Sequence, residues 1–290
     1  MEITVSNGDI VILSPEDFAP EPIFECGQCF RWNKSGEREY AGVAFGKPLR
    51  IIWDDARVTL CGAADDEALW REYFDLDRDY GEIRSAFGFD AHMSLAAQFG
   101  RGIRILRQEP WEALCSFIVS QCNNIPRIKK IIEALCRLCG EAIGDGLYAF
   151  PAPERVADLS PEQLSSLRAG YRGAYIHSAA LSVSSGAFDL GAASRLPEKD
   201  ALAALLSLPG VGTKVASCAA LFGLHMLDFF PIDTWMKKSL ANHYPGGFDP
   251  KAFSPYAGIA QQYLFYYERS GQQRCPGRAA ERKEKSRSTR

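Results

Sequence analysis

The 290-residue sequence has no apolar run long enough to cross a bilayer and no charged-then-apolar leader at its start. A soluble, unsecreted protein is therefore expected, cytoplasmic in a bacterium or nuclear in a eukaryote. Nor is there a dominant charge of one sign. The 33 Lys and Arg against 36 Asp and Glu give a formal net charge of -3, which excludes a molecule that draws polyanions over its whole surface. Any anion-binding site must be local. The nine cysteines contain no four-cysteine spacing toward the C-terminus, where only Cys275 occurs, so no iron–sulfur cluster is expected there. Two C-x-x-C pairs, Cys26/Cys29 and Cys136/Cys139, lie far apart, and the second falls in an apolar helical pattern. Buried thiols rather than a zinc site are expected.

The chain does contain two kinds of patterning. "EITVSNGDIVIL" reads as two strands around a turn at Asn7-Gly8. The stretch from Cys29 to Gly62 reads as short β-rich runs broken at Lys34-Ser35-Gly36, Gly46-Lys47-Pro48 and Asp54-Asp55, the spacing of an antiparallel meander. Near Asp65 the period turns helical. "WEALCSFIVSQ" puts Leu114, Phe117 and Ile118 on one face, and "IPRIKKIIEALCRLCG" carries an apolar stripe of Ile128, Ile131, Ile132, Leu135 and Leu138. "LSPEQLSSLRAG" predicts a short helix with a Ser160/Gln163 capping box and Gly170 at its end. The fold class expected is α+β: a β-rich N-terminal domain over 1–97, a helical body over 98–275 and a basic, solvated tail over 276–290.

The segment "LPGVGTKVASC" sets two helices around a tight turn. Pro209 stops the first helix, and Gly210 and Gly212 permit positive φ and leave N–H groups uncovered. Those groups and the unpaired N–H groups of the next helix form a phosphate seat. Neither Walker A nor G-x-G-x-x-G fits, because Val215 stands where those motifs need Ser/Thr or Gly. A helix–hairpin–helix that grips a nucleic-acid backbone through Gly210, Val211 and Gly212 remains. Lys214 sits at the positive end of the second helix, where a cation is disfavoured. It therefore answers to an anion or does chemistry. Its spacing puts it on one face with Cys218 and Leu221, with Val215, Ala219 and Phe222 on the buried stripe. Shortly after, "FFPIDTW" gives Asp233 a rigid, dry approach; the residue suits a helix cap, or a carboxylate that stabilises positive charge developing on a sugar.

With these motifs in place the sequence resembles the helix–hairpin–helix DNA glycosylases, and within them the 8-oxoguanine DNA glycosylase/lyases of the eukaryotic type. The matching stretches are "GQCFRW", "GIRILRQEPWE", "NNIPRI", "GYRGAYI", "LPGVGTKVASC", "PIDTW" and "AQQYLFYYER", spread over residues 27 to 269. The resemblance implies a monomer acting on double-stranded DNA that contains oxidised guanine, with the lesion flipped out of the stack. Lys214 would attack C1′ and form a Schiff base, β-elimination would cut the strand, and Asp233 would stabilise the oxocarbenium-like transition state. The Gly27 carbonyl would accept from the N7–H that only the oxidised base carries. Phe265 and Cys218 would sandwich the base, and Gln261 would bond its Watson–Crick edge. Asn123 or Asn124 would fill the gap, Arg127 and Arg172 would grip the orphaned cytosine, and Tyr171 would wedge the stack. The resemblance implies no required cofactor and no catalytic metal, with a structural monovalent cation at the hairpin carbonyls as in relatives. Two positions depart from the family: Cys122 stands where the plugging asparagine usually sits, and Trp235 where some relatives carry a phosphate-binding histidine. The same machinery acting on another damaged base, or a non-catalytic module that only binds the DNA backbone, are the competing expectations.

Overall fold

The computed structural model describes residues 1–13 and 15–274, apart from the side chains of 271–274. Cys275 and the basic tail lie outside the described residues. The N-terminal part is a six-stranded antiparallel sheet built from β1 (Glu2–Ser6), β2 (Asp9–Leu13), β3 (Trp32–Gly36), β4 (Glu39–Ala44), β5 (Lys47–Trp53) and β6 (Arg57–Cys61), in the order β1-β2-β6-β5-β4-β3. Strands β3 to β6 form the expected meander, and the β1–β2 hairpin turns at Asn7 and Gly8, both at positive φ as a two-residue turn of this type requires. One expected break is absent. Lys34-Ser35-Gly36 stays within β3 and is accommodated as a shift in register against β4, so the chain turns after Gly36.

The sheet packs one face onto the helix Glu67–Tyr73 through a cluster that includes Trp32, Trp70, Tyr73, Phe74 and Leu106. A second, larger core holds the helical body, and it takes in Tyr80, Phe87 and Met93 from the helices that follow the sheet. At its centre runs the helix Pro110–Val119, buried on every side from Trp111 to Val119 rather than along the single face that the period suggested. The helices Tyr171–Ser184 and Thr213–Phe222 pack against it. The capping box of Ser160 and Gln163 forms as the sequence predicts, but that helix ends at Ser166. Gly170, at φ +63, opens the following helix instead of closing the earlier one.

Gln28, fully buried, joins the two parts. Its amide nitrogen donates to Ile23 O and Arg104 O, its oxygen accepts from Leu106 N, and its backbone carbonyl accepts from the Gln108 side chain. Arg104, equally buried, donates to the carbonyls of Phe74, Asp17, Asp75 and Arg78 and lies 4.3 Å from the Tyr80 ring centroid. A guanidinium so supplied with acceptors is tolerable in a core. These bonds fix the segment that leads into and out of Gly27.

Candidate active site

Six of the residues singled out in the sequence line one pocket: Gly27, Lys214, Cys218, Asp233, Gln261 and Phe265. They arrive on four parts of the chain, each for a local reason. Gly27 follows the C-cap of the helix Pro20–Glu25 at φ +82, the left-handed conformation that commonly ends a helix. Lys214 and Cys218 are one helical turn apart on Thr213–Phe222, and Phe222, one turn further, joins them in the lining. This corrects the face expected for that helix: Leu221 is fully buried and approaches Gly258, whereas Phe222 reaches the pocket. Asp233 caps the helix Thr234–His243 by accepting from Met236 N at 2.8 Å, so the cap and the pocket carboxylate are the same residue. Gln261 and Phe265 are one turn apart on Ala257–Arg274.

The Lys214 amine donates to Ser120 Oγ at 2.8 Å and lies 5.2 Å from the centroid of the Phe117 ring. Ser120 in turn donates to Phe117 O. The amine is thus aimed by the last turn of the central helix. Among the described residues Lys214 and Asp233 share the pocket without forming an ion pair. Burial pushes the Cys218 thiol up and the neighbouring Lys214 amine pulls it back, which leaves a neutral sulfur surface beside the pocket. The pocket holds about 40 Å³ of free volume, room for a water or two rather than a purine, so a base enters only if the lining parts. A cleft of about 640 Å³ lies elsewhere, at Arg71, Asp75, Asp77, Arg78 and Arg107. Its charges are spent on one another, in the pairs Arg71–Asp77, Arg78–Asp75 and Arg107–Glu72, so size does not mark the functional site.

A second group of expected residues gathers around the turn between the helices Pro110–Val119 and Ile125–Cys139. Cys122 is exposed at φ +46, Asn123 donates to Val119 O, and Asn124 caps the second helix through Arg127 N. Arg127 is exposed and donates to Arg168 O. Arg172 is buried, and its guanidinium donates to the carbonyls of Gln121, Cys122 and Ala169. In this conformation it therefore orders the turn rather than projecting from it. Tyr171 is 51% exposed with Arg172 4.5 Å from its ring centroid, placing an aromatic face at the surface beside that turn. Gln121 donates to Gly210 O and so ties the turn to the hairpin.

Within the hairpin only Gly210 has positive φ, +79, and a Cβ there would fall 2.1 Å from the Tyr175 ring. Gly212 is extended at φ -89, so its freedom is not conformational; nothing lies within 4 Å of where its Cβ would stand, and the helix it caps has no side-chain cap. The first-turn N–H groups are left open to an incoming acceptor. Val211 is buried and spends its N–H on Leu208 O. Trp235 is 45% exposed in the first turn of the helix that Asp233 caps.

Three pocket features were not legible in the sequence. Ser120 lies 94 positions from Lys214, and Phe117 fits the apolar face of its helix while also lining the pocket. Gln262 also lines the pocket. Among the described residues His92, His243 and Glu268 bring three ligand-type atoms within 4.8 Å. The two rings stack at 3.8 Å and 12°, however, and His243 Nε2 lies 2.8 Å from Glu268 Oε1, so the in-plane lone pairs run parallel rather than converging on an ion. The C-x-x-C sulfurs are free and buried, with Cys26 and Cys136 pushed up to about 12 by burial and Cys139 to about 11, the behaviour of inert core thiols.

Residues 10–114 match the family model for the 8-oxoguanine DNA glycosylase N-terminal domain, and residues 115–251 match the HhH-GPD superfamily of base excision DNA repair proteins. The chain is 31% identical to an N-glycosylase/DNA lyase of Arabidopsis thaliana over 276 residues, covering 84% of this chain and 76% of the relative. It is 30% identical to the N-glycosylase/DNA lyase of Saccharomyces cerevisiae, covering 77% and 67%. The crystal structure of the Clostridium acetobutylicum 8-oxoguanine glycosylase/lyase, in complex with double-stranded DNA containing cytosine opposite 8-oxoguanine, superposes with a TM-score of 0.87 at 34% identity, covering 94% of this chain and 99% of that one. No helix among the described residues is long and apolar enough to cross a membrane. The antiparallel sheet, the helical body with its glycine hairpin, and these matches over nearly the whole chain together make it a member of the 8-oxoguanine DNA glycosylase/lyase family of helix–hairpin–helix enzymes, a DNA N-glycosylase with abasic-site lyase activity.

Proposed function

We propose that this enzyme, as a monomer on duplex DNA, excises 8-oxoguanine paired with cytosine through a Schiff base at Lys214 and then cleaves the strand. The observation that carries the reading is the convergence of Lys214, Asp233, Gly27, Cys218, Gln261 and Phe265 on one pocket from four separate chain segments. The unprotonated amine adds its lone pair to C1′. The glycosidic bond breaks, and its electron pair leaves with the base, which takes up a proton. Ring opening and loss of the nitrogen's second proton give the imine. Loss of a C2′ proton then expels the 3′ phosphate. Asp233 faces the sugar as positive charge develops, its orientation held by the helix that it caps.

The flipped base lies between Phe265 and the neutral Cys218 sulfur, and the Gly27 carbonyl accepts from N7–H. Guanine offers a lone pair there instead, a mismatch that costs about 1–3 kcal/mol. The hairpin N–H groups and Trp235 take backbone phosphates. Arg127 and Tyr171, both exposed beside the turn at Cys122–Asn124, engage the orphaned cytosine and the stack, and Arg172 acts with them by holding that turn. The chemistry needs no redox or metal cofactor. A monovalent cation at the hairpin would compete for carbonyls already in use, since Leu208 O accepts from Val211 N and Gly210 O from Gln121, which leaves each one lone pair. If bound, it would stiffen the turn, and no chemical step passes through it.

Borohydride reduction during incubation with a lesion-bearing duplex tests the reading. A covalent adduct with 8-oxoguanine opposite cytosine, absent in Lys214→Gln, supports it. An adduct only with a different damaged base reassigns the lesion, and binding without any adduct leaves a backbone-binding module.

A further inference from the structure

Gln261 and Gln262 are consecutive on the helix Ala257–Arg274, 4% and 3% exposed, and both line the pocket. Neighbouring residues on a helix point about 100° apart and do not ordinarily meet. Here the Gln262 amide nitrogen donates to Gln261 Oε1 at 2.7 Å. That bond takes one lone pair of the Gln261 oxygen and fixes the amide so that its NH₂ is left for the pocket. The Gln262 oxygen is buried and has no hydrogen-bond partner, so among the described residues the bond to Gln261 is the one hydrogen bond that its side chain makes.

We propose that Gln262 is a positioning residue that fixes which end of the Gln261 amide meets the base, and so selects a purine with a 6-oxo group over one with a 6-amino group. The inference rests on the base-excision reading of this pocket. A 6-oxopurine edge presents an acceptor at O6 beside a donor at N1–H. Held by Gln262, the Gln261 amide offers its NH₂ to O6 of such an edge. A 6-aminopurine presents a donor at that position, so donor would face donor. Free of its neighbour, the Gln261 amide turns over at little cost and accepts either edge. Gln262 thereby acts through Gln261 and sharpens its choice.

The test is single-turnover base release from duplexes carrying 8-oxoguanine or 8-oxoadenine, by the wild type, Gln262→Met, Gln261→Met and the double variant. Methionine keeps the length and removes the amide; Gln262→Leu serves as a second variant, and thermal melting confirms that each is folded. Gln262→Met lowers the ratio of 8-oxoguanine to 8-oxoadenine release by roughly tenfold, the size of one polar mismatch. In the Gln261→Met background the same substitution changes that ratio by less than about twofold, because the residue it acts through is gone. An unchanged ratio in Gln262→Met, equal loss of both activities, or an equal change of ratio in the two backgrounds overturns the proposal. Release of neither base by the wild type overturns the excision reading itself, a distinct result.

Discussion

Replacing Gly27 with alanine separates the cost of folding from the cost to function. The backbone at Gly27 has φ +82, where an L-residue is strained by about 1–2 kcal/mol. The added methyl would stand 3.3 Å from Phe265 Cε1, 3.6 Å from Ile125 Cδ1 and 3.7 Å from Arg269 Nη1. Only the first contact is tight, and half-buried Phe265 relieves it by moving a few tenths of an ångström. The folding loss is therefore about 1–2 kcal/mol, a fall in Tm on the order of 2–6 °C for a chain of this size. Excision should suffer far more, because the methyl projects toward the ring against which the base must lie, and overpacking of this kind costs a further 1–3 kcal/mol with the base bound. A ten- to hundredfold loss of 8-oxoguanine release, roughly, is expected. Gly8→Ala is the control: its φ is +85, nothing lies within 4 Å of its added Cβ, and it sits in the β1–β2 turn away from the pocket. It should show the same fall in Tm with unchanged excision. Single-turnover kinetics and thermal melting on both variants decide the matter. Equal loss of activity in the two, or full activity in Gly27→Ala, refutes the placement of Gly27 against the base.

Ser120→Ala removes the acceptor that aims the Lys214 amine. A hydrogen bond contributes about 0.5–1.5 kcal/mol net, so borohydride trapping should slow by roughly two- to tenfold, with Tm falling by no more than about 4 °C; an unchanged trapping rate would remove Ser120 from the site. Glu112 tests burial instead. It is buried beside Arg31, 3.6 Å away, and burial pushes its carboxyl up from 4.5 to about 7 despite that guanidinium. The folded state thus binds its proton more tightly than the unfolded chain does, and the ionised form costs stability. The cost is absent below pH 4.5, grows between 4.5 and 7, and is complete above 7, where it amounts to about 3 kcal/mol. Glu112→Gln should therefore gain up to that much at pH 8 and nothing at pH 4.5 in denaturant titrations; a gain that does not vary with pH would contradict the assignment.

What the sequence reveals depends on how local the cause is. Lys214, Cys218 and the hairpin are legible because a glycine turn and a helical period lie within a few residues of them. Asp233 is legible twice over, as a cap and as a pocket carboxylate, because both uses need the same rigid approach through Pro231. The antiparallel sheet follows from alternation and turn residues, but Lys34-Ser35-Gly36 misleads because a register shift absorbs the same residues that make a turn. Gly170 misleads because a glycine between two helices serves either end, and tertiary packing chooses. Gly212 looks like a φ requirement and is instead an open backbone. Ser120, Gln28 and Gln262 carry no local signal. A serine at a helix end and a glutamine in a polar stretch are ordinary until a partner arrives, from 94 positions away for Ser120 and 78 for Gln28. The commitment of Arg172 to backbone carbonyls is hidden for the same reason.

The account turns on which amine meets the sugar. Reductive trapping on an 8-oxoguanine:cytosine duplex, followed by proteolysis and mass spectrometry of the adducted peptide, identifies it directly. The account predicts a reduced sugar remnant on Lys214, within the peptide that spans the glycine hairpin. A remnant on any other lysine or on the N-terminal amine, with Lys214 unmodified, would contradict it.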